Sequence, residues 1–423
     1  MSVRAGRWAI WVLVAANTVS WLTFGPVDDG RDRFIWQAVA EFLASTTAIL
    51  FAAALVLATR WRFLEPWFGG LDRMYRSHRE VAVAGYVLLL AHVAVVPWRL
   101  ESPGGTPSGL IAFVGFTALV VLSVGPRMPG LRLLVAISYH RWRWSHRFIG
   151  FFFIFSLAHA LLVDGVVRSA PVPLAFLLAA YVIGVLAYAY CLLLARFVRP
   201  RRRYVVEAVR RLSETAVEVT LCPRRKPITF RSGQFAFTRY RQRGLREPHP
   251  FTISSAPGEP TLRLTIKEIG DYTRRLGTEL QPGRTAIVEG GYGMLDYRVG
   301  RARQIWVAGG IGVTPFLSWL RDLPHPEPRD IQFFYAVRHS AEAICWEDVL
   351  AARTNHIGLN AHLHVSSEAG TLTVDQIMQS TGPVTDAEIY LCGPQPMIAA
   401  LERGFRHHGV PARAIHFEEF AFR

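Results

Sequence analysis

The sequence predicts an all-α, membrane-embedded bundle of six helices, followed by a small antiparallel β-barrel and then an α/β domain built on a parallel sheet. Three observations predict it. The first 200 residues hold six apolar runs of spanning length, and the loops between them alternate between basic and weakly charged. After Pro200 the apolar runs shorten, alternate with polar residues and are punctuated by Gly and Pro, as in short antiparallel strands. From Gln304 on, strand-like runs alternate with helical patterns, which implies a parallel sheet. The expected domains are 1–200, 201–298 and 299–423.

Composition agrees. The chain has 423 residues, 51% of them hydrophobic, and its mean hydropathy is positive. A net charge of +15 could point to nucleic acid. Here the Arg residues cluster at the ends of apolar segments, at 141–147 and 199–203, so the membrane-orienting pattern explains the charge and no nucleic-acid partner is expected. Cys191, Cys222, Cys345 and Cys392 form no metal-binding spacing and no disulfide framework, as in a reducing compartment. Arg4 and Arg7 precede an apolar run without an evident cleavage site, so the first span is read as uncleaved.

The expected spans are 8–24, 34–59, 80–98, 109–124, 148–167 and 172–198. Glu41 is the one interior charge of the second span. Residues 60–79 and 127–147 read as basic loops, and 25–33 and 100–108 as weakly charged ones. By the positive-inside pattern both termini and the soluble domains are cytoplasmic, in a multi-pass protein of the plasma or inner membrane.

The third and fifth spans each bring a histidine pair, His78 with His92 and His146 with His159. Each pair is separated by roughly 20 Å along a helix axis, most of the hydrocarbon thickness. Ionisable groups at such depth are functional by default. Two helices side by side would then oppose one histidine to another at two levels, the arrangement of two stacked haems with histidine on both faces. The first step, of 14 residues, is close to four turns. The second, of 13, is not, so the fifth span should be overwound or bent, or His146 should sit at its frayed start; Gly150 is a plausible place for the irregularity. His140 pairs with nothing at the required spacing and is read as solvated. Phe152 is read as packing in its span or as lying between the haems.

The soluble part brings four motifs. Residues 305–315, IWVAGGIGVTP, read as a strand, a Gly-rich turn and a helix start, where Gly309, Gly310 and Gly312 let the backbone approach a pyrophosphate. Pro315 suits the first turn of that helix. Residues 249–255, HPFTISS, offer a ring, hydroxyls and backbone donors suited to a flavin edge. Residues 269–273, IGDYT, open a short helix whose NH groups suit phosphate. Residues 390–394, YLCGP, end a strand on a thiol, where parallel sheets meet their ligands.

In this order the motifs resemble the flavin- and nicotinamide-binding module of the ferredoxin–NADP reductase superfamily, and the histidine spacings resemble the ferric reductase-like transmembrane domain. Together they resemble the NADPH oxidase and ferric reductase family, above all its short prokaryotic members, over nearly the whole chain. The resemblance implies an NAD(P)H oxidase, moving electrons through FAD and two haem b groups to an acceptor outside. His78 and His146 would hold the inner haem, His92 and His159 the outer one. His249, Pro250, Phe251 and Thr252 would hold FAD, with Thr252 near the reactive nitrogen; Gly270, Tyr272 and Thr273 would bind its pyrophosphate. Gly309, Gly310, Gly312, Thr314 and Pro315 would take the pyrophosphate of NADPH or NADH, with Cys392, Gly393 and Pro394 beside the nicotinamide. Phe420, near the end, would cover the flavin. Arg338, after the second strand of the sheet, would meet the 2′-phosphate, which favours NADPH.

Two departures bear on the acceptor. Eukaryotic relatives of this type carry extra histidine and arginine near the outer haem, whereas position 96, one turn beyond His92, is Val96, and Arg31 and Arg99 stand only in loops. No calcium-binding loop or long insertion is present, so no obligatory protein subunit is expected. The expected acceptor is O2, giving superoxide; the alternatives are a ferric-chelate reductase with the same path and an ion or proton channel with a vestigial redox module.

Overall fold

The computed structural model describes residues 5–98, 104–127 and 139–418. The chain divides into two compact units, Met1–Val198 and Arg199–Arg423.

The first unit is helical. Its main helices are α1 (Ala5–Phe24), α2 (Phe34–Ala58), α3 (Leu71–Val95), α4 (Gly105–Val124), α5 (Tyr139–His146), α6 (Ile149–Leu162) and α7 (Pro171–Ala189). Among the described residues, five helices are long and apolar enough to cross a membrane: α2, α3, α4, the run Arg141–Leu162 and the run Pro171–Val198. At 20 residues α1 has the length but is less apolar, with Arg7, Asn17, Thr18 and Ser20 along it. Asn17 fastens it to α2: its amide donates to Thr46 at 3.2 Å and its carbonyl oxygen accepts from Ser45 at 2.9 Å. The helix of the last span runs through a π turn at Tyr190–Leu194.

Two expected basic loops are partly helical. Leu71–Arg79, read as loop because it is charged, is the start of α3, released by Gly69 and Gly70, both at positive φ. Its buried residues Leu71, Met74, Ser77 and Val81 recur at helical spacing, and the charged Asp72 is buried with them. Likewise α5 occupies the end of the expected loop 127–147. The irregularity between His146 and His159 falls at Arg147–Phe148 and not at Gly150. There the amides of Arg147, Phe148 and Phe151 bond three residues back, to Trp144, Ser145 and Phe148. Such 3₁₀ bonding turns the chain further per residue than an α-helix, the direction a 13-residue step requires. Gly150 serves packing instead, since a Cβ there would lie 2.2 Å from the Tyr188 ring.

The second unit holds two sheets. The first is antiparallel, in the order β4-β3-β6-β1-β2-β5, with β1 (Arg201–Ser213), β2 (Ala216–Pro223), β3 (Phe235–Tyr240), β4 (His249–Thr252), β5 (Leu262–Lys267) and β6 (Thr285–Tyr292). It curls into a half-barrel whose two ends meet at the isolated bridge Ile253 to Leu264, where a small antiparallel barrel was expected. Alternate residues such as Tyr204, Val206, Val217, Val219, Leu264 and Val288 fill its concave core. Helix α8 (Asp271–Glu279) follows β5.

The second sheet is parallel, in the order β11-β10-β7-β8-β9, with β7 (Arg303–Gly309), β8 (Asp330–Val337), β9 (Leu359–Val365), β10 (Glu388–Cys392) and β11 (Ile415–Glu418). It has one strand more than expected, β11, only four residues long. Helices α9 (Thr314–Leu320), α10 (Trp346–Asn355), α11 (Val374–Thr381) and α12 (Gln395–His407) connect its strands. Chain order runs outward from β7 in both directions, so the switch point lies between β7 and β10, where a sheet of this kind receives its ligand. The half-barrel and the sheet are tied by buried bonds from α9: Ser318 Oγ donates to the Ser255 carbonyl at 2.7 Å and Trp319 Nε1 to the Ser232 carbonyl at 3.1 Å.

Candidate functional site

In the helical unit the four histidines form two facing pairs. The ring centroids of His78 and His146 are 6.3 Å apart with planes at 74°, and those of His92 and His159 are 6.4 Å apart at 75°. A metal–imidazole bond is about 2 Å and a ring nitrogen lies about 1 Å from its centroid, so two imidazoles on opposite sides of one metal have centroids roughly 6 Å apart. Both pairs have that separation. All four side chains are half-buried. α3 packs along α2 and α6 along α4, while α3 and α6 are not in extended contact, so the rings face one another across a gap.

Each ring is oriented from behind. His78 Nδ1 is 2.8 Å from the Ala54 carbonyl and His92 Nδ1 is 2.8 Å from the Ala40 carbonyl. Both acceptors lie on antiparallel α2, separated by the same 14 residues as their histidines. His159 Nδ1 is 2.8 Å from the Gly105 carbonyl, and His146 Nδ1 is 3.5 Å from Ser123 Oγ, with Trp142 stacked on its ring at 5.2 Å. For His78, His92 and His159 the partner is a carbonyl, which accepts only from N–H; this puts the proton on Nδ1 and leaves the Nε2 lone pair for a metal. Gly109 makes room for this: a Cβ there would be 2.6 Å from His159 Nδ1. These residues therefore fit a haem at each pair. Phe152 is lodged against α4, where a Cβ on Gly115 would lie 2.2 Å from its ring.

In the soluble unit the flavin-type motifs meet on the half-barrel. The His249 ring stacks on Tyr272 at 3.7 Å, joining β4 to α8. Phe251 lies parallel to His249 at 6.4 Å. Pro250 pairs with Phe237, and the buried Thr252 with Phe235. The Tyr272 hydroxyl is spent on the carbonyls of Leu245 and Glu247, and the Thr273 hydroxyl accepts from the amides of Ile269 and Gly270 as a helix cap. What α8 offers a phosphate is thus its backbone, over Gly270, where a Cβ would meet nothing within 4 Å. Ser254 and Ser255 are fully buried; the Thr265 hydroxyl donates to Ser254 Oγ, and the Arg263 amide to Ser255 Oγ.

The nucleotide-type motifs meet at the carboxyl ends of β7 and β10, where Ala308 pairs with Cys392. The approach is as close as glycine allows. A Cβ on Gly312 would lie 2.2 Å from the Cys392 carbonyl oxygen, and one on Gly393 would lie 3.0 Å from the Gly309 Cα. Gly310, at φ 53°, has open space beside it. Pro315 lies in the first turn of α9, and Thr314 Oγ1 is committed to the Ile311 carbonyl, both residues being buried. Pro394 borders Gly309, and Met397, which the motifs do not signal, covers both Gly309 and Gly393. Arg338 is exposed just after β8, on the same edge of the sheet. Cys392 is fully buried; burial, with Glu418 beside it on β11, pushes its thiol well above its ordinary pKa. Glu418 also lies against Gly293 of the half-barrel. Phe420 lies outside the described residues, as does Arg99.

The model of the FAD-binding domain family matches residues 203–298, and that of the oxidoreductase NAD-binding domain family matches residues 306–403. A flavohemoprotein of Rhodopirellula baltica is 34% identical over 131 residues, 27% of this chain and 31% of that protein. Dual oxidase 2 of Rattus norvegicus is 29% identical over 323 residues, 68% of this chain and 21% of that protein, a stretch longer than the soluble unit. The chain thus spans only part of these relatives' length. A crystal structure of flavohemoglobin from Malassezia yamatoensis with bound FAD and heme has a TM-score of 0.53 at 16% identity, covering 91% of this chain and 97% of that one, which is a likeness of fold. The soluble unit is an FAD- and NAD(P)H-binding oxidoreductase module.

Proposed function

We propose that the chain carries electrons from NAD(P)H at its soluble unit across a membrane to an acceptor outside, O2, with superoxide as product. One observation carries this reading: the same metal-sized histidine pair occurs twice in one apolar bundle, each ring met at Nδ1, in a chain that also carries an FAD- and NAD(P)H-binding module. When bound, FAD accepts a hydride and releases its electrons singly, and two b-type haems relay them.

The chain's own residues supply position. His78 and His146 hold the inner haem, His92 and His159 the outer one, in a bundle that α1 completes as its sixth helix. The nitrogen orientation set by the carbonyls of Ala40, Ala54 and Gly105 keeps Nε2 of His92, His78 and His159 available. Thr252 and the stacked rings of His249, Phe251 and Tyr272 fix the flavin edge, and the backbone of Gly270 to Thr273 receives its pyrophosphate. The glycines at 309, 310, 312 and 393 admit the NADPH backbone between β7 and β10. Arg338 meets the 2′-phosphate, and the neutral thiol of Cys392 packs by the nicotinamide with Gly393 and Pro394. The basic loops set both termini and the soluble unit in the cytoplasm.

A second reading, a ferric-chelate reductase, follows from Val96, which follows α3 one turn beyond His92 and brings no polar side chain for O2. The test compares cytochrome c reduction inhibited by superoxide dismutase with anaerobic reduction of a ferric chelate, both driven by NADPH. Dismutase-sensitive reduction supports the O2 reading; chelate reduction without it supports the second; NADPH oxidation with neither opposes both.

A further inference from the structure

We propose that Glu41 is the positioning residue of the outer histidine pair, the side chain that ties both ligand-bearing helices to one turn of α2. The proposal rests on the two-haem reading above.

Glu41 is the one acidic residue of α2. A charge in an apolar helix needs compensation, and here it comes from the segment after α6 and from Gln37. The carboxylate accepts from the Val166 amide at 2.9 Å and the Val167 amide at 2.8 Å, the first two residues of the 3₁₀ turn that follows α6. Gln37, one turn earlier on α2, donates to the same carboxylate at 2.9 Å and to the Asp164 carbonyl at 2.9 Å. Arg31 adds a bond to that carbonyl at 3.1 Å. Gly165 permits the approach, because a Cβ there would lie 3.0 Å from the carboxylate. Bonds between an ionised acceptor and backbone amides are stronger and shorter than neutral ones.

The segment so held begins at His159. The Val163 amide bonds the His159 carbonyl at 3.0 Å and the Gly165 amide bonds the Val163 carbonyl at 3.0 Å. A continuous run of bonds therefore leads from the ligand to Glu41. The neighbouring residue, Ala40, accepts from His92. Two consecutive residues of α2 thus hold the two sides of one pair, Ala40 through a ring and Glu41 through the helix end beyond the other ring.

Among the described residues and their bonds, the inner pair shows no equivalent. Ala54 accepts from His78, but its neighbour Leu55 is apolar, and His146 is met by Ser123 at 3.5 Å. Loss of the carboxylate should therefore disturb the outer pair alone, by freeing the end of α6 and letting the His159 ring turn against His92.

The test uses the full-length protein loaded with haem and FAD in detergent micelles, unsubstituted and as Glu41→Gln and Glu41→Ala. Haem per chain, ferric low-spin EPR and a redox titration are read. Glu41→Gln keeps the size and one acceptor oxygen; it should shift the signal and midpoint potential of one haem and leave the other unchanged. Glu41→Ala should lower haem content from two toward one. Two retained haems with both signals superimposable on the unsubstituted protein would overturn the proposal, as would equal disturbance of both haems by Glu41→Gln. If Glu41→Ala does not fold, Glu41→Gln decides. Fewer than two haems in the unsubstituted protein would instead refute the two-haem reading, and this proposal with it.

Discussion

The planes of His92 and His159 stand 75° apart with their centroids at 6.4 Å, and His78 and His146 repeat the arrangement at 74° and 6.3 Å. An iron between near-perpendicular imidazoles keeps two of its d orbitals close in energy, which makes the ferric low-spin EPR spectrum strongly anisotropic. Both haems should give that signal. A rhombic spectrum of the kind parallel rings produce, from either haem, would contradict the geometry.

Gly109→Ala tests the support behind His159. In an exposed helix this change would stabilise by about 1 kcal/mol. Here the new Cβ would lie 2.6 Å from His159 Nδ1, within reach of the bond to Gly105. The variant should lose the outer haem and keep the inner one, read as haem per chain by pyridine haemochrome. Two haems at full occupancy would show that His159 does not depend on this contact.

Arg338→Ala tests cofactor choice. A hydrogen bond to a charged group contributes about 1.5–3 kcal/mol, so discrimination between NADPH and NADH should fall about tenfold or more. The measurement is kcat/KM for each nucleotide before and after substitution. An unchanged ratio would remove Arg338 from the site.

Cys392 gives a pH prediction. Its thiol is held neutral, first by burial and then by Glu418, so its folded pKa lies well above the unfolded one. A raised pKa means that the folded form binds the proton more tightly. The stabilisation is complete below the unfolded pKa of about 8.5 and is lost as pH rises above it. Flavin reduction by NADPH should therefore show no step from this thiol between about pH 6 and 8, and iodoacetamide should react slowly at Cys392 in that window. Rapid alkylation there at neutral pH would contradict the buried, protonated thiol.

Much of this site was legible in the sequence because side-chain chemistry announces it: four histidines in apolar spans, the glycine turn at 309–312, and the thiol at 392. The glycine turn could be read because backbone contact with a ligand or a neighbouring strand excludes a Cβ. The parts that stayed hidden act through the backbone. Ala40 and Ala54 orient histidines with carbonyls that any residue would supply, so their identity carries no signal, although their 14-residue spacing repeats that of His78 and His92. The first turns of α3 looked like loop because the charges interleaved along it masked Leu71, Met74 and Ser77. The 3₁₀ bonding at Arg147 and Phe148 follows from packing that no local motif records. β11 escaped because four residues are too few to show a strand period. The hydroxyls of Tyr272 and Thr273 serve the backbone, a commitment the motif alone does not show.

The most direct measurement is a reduced-minus-oxidised spectrum of the full-length protein with FAD, taken anaerobically after adding NADPH, together with haem content per chain. The account predicts a b-type signal from two haems per chain, reduced by NADPH. Steady NADPH oxidation by a protein that shows no b-type signal would contradict it.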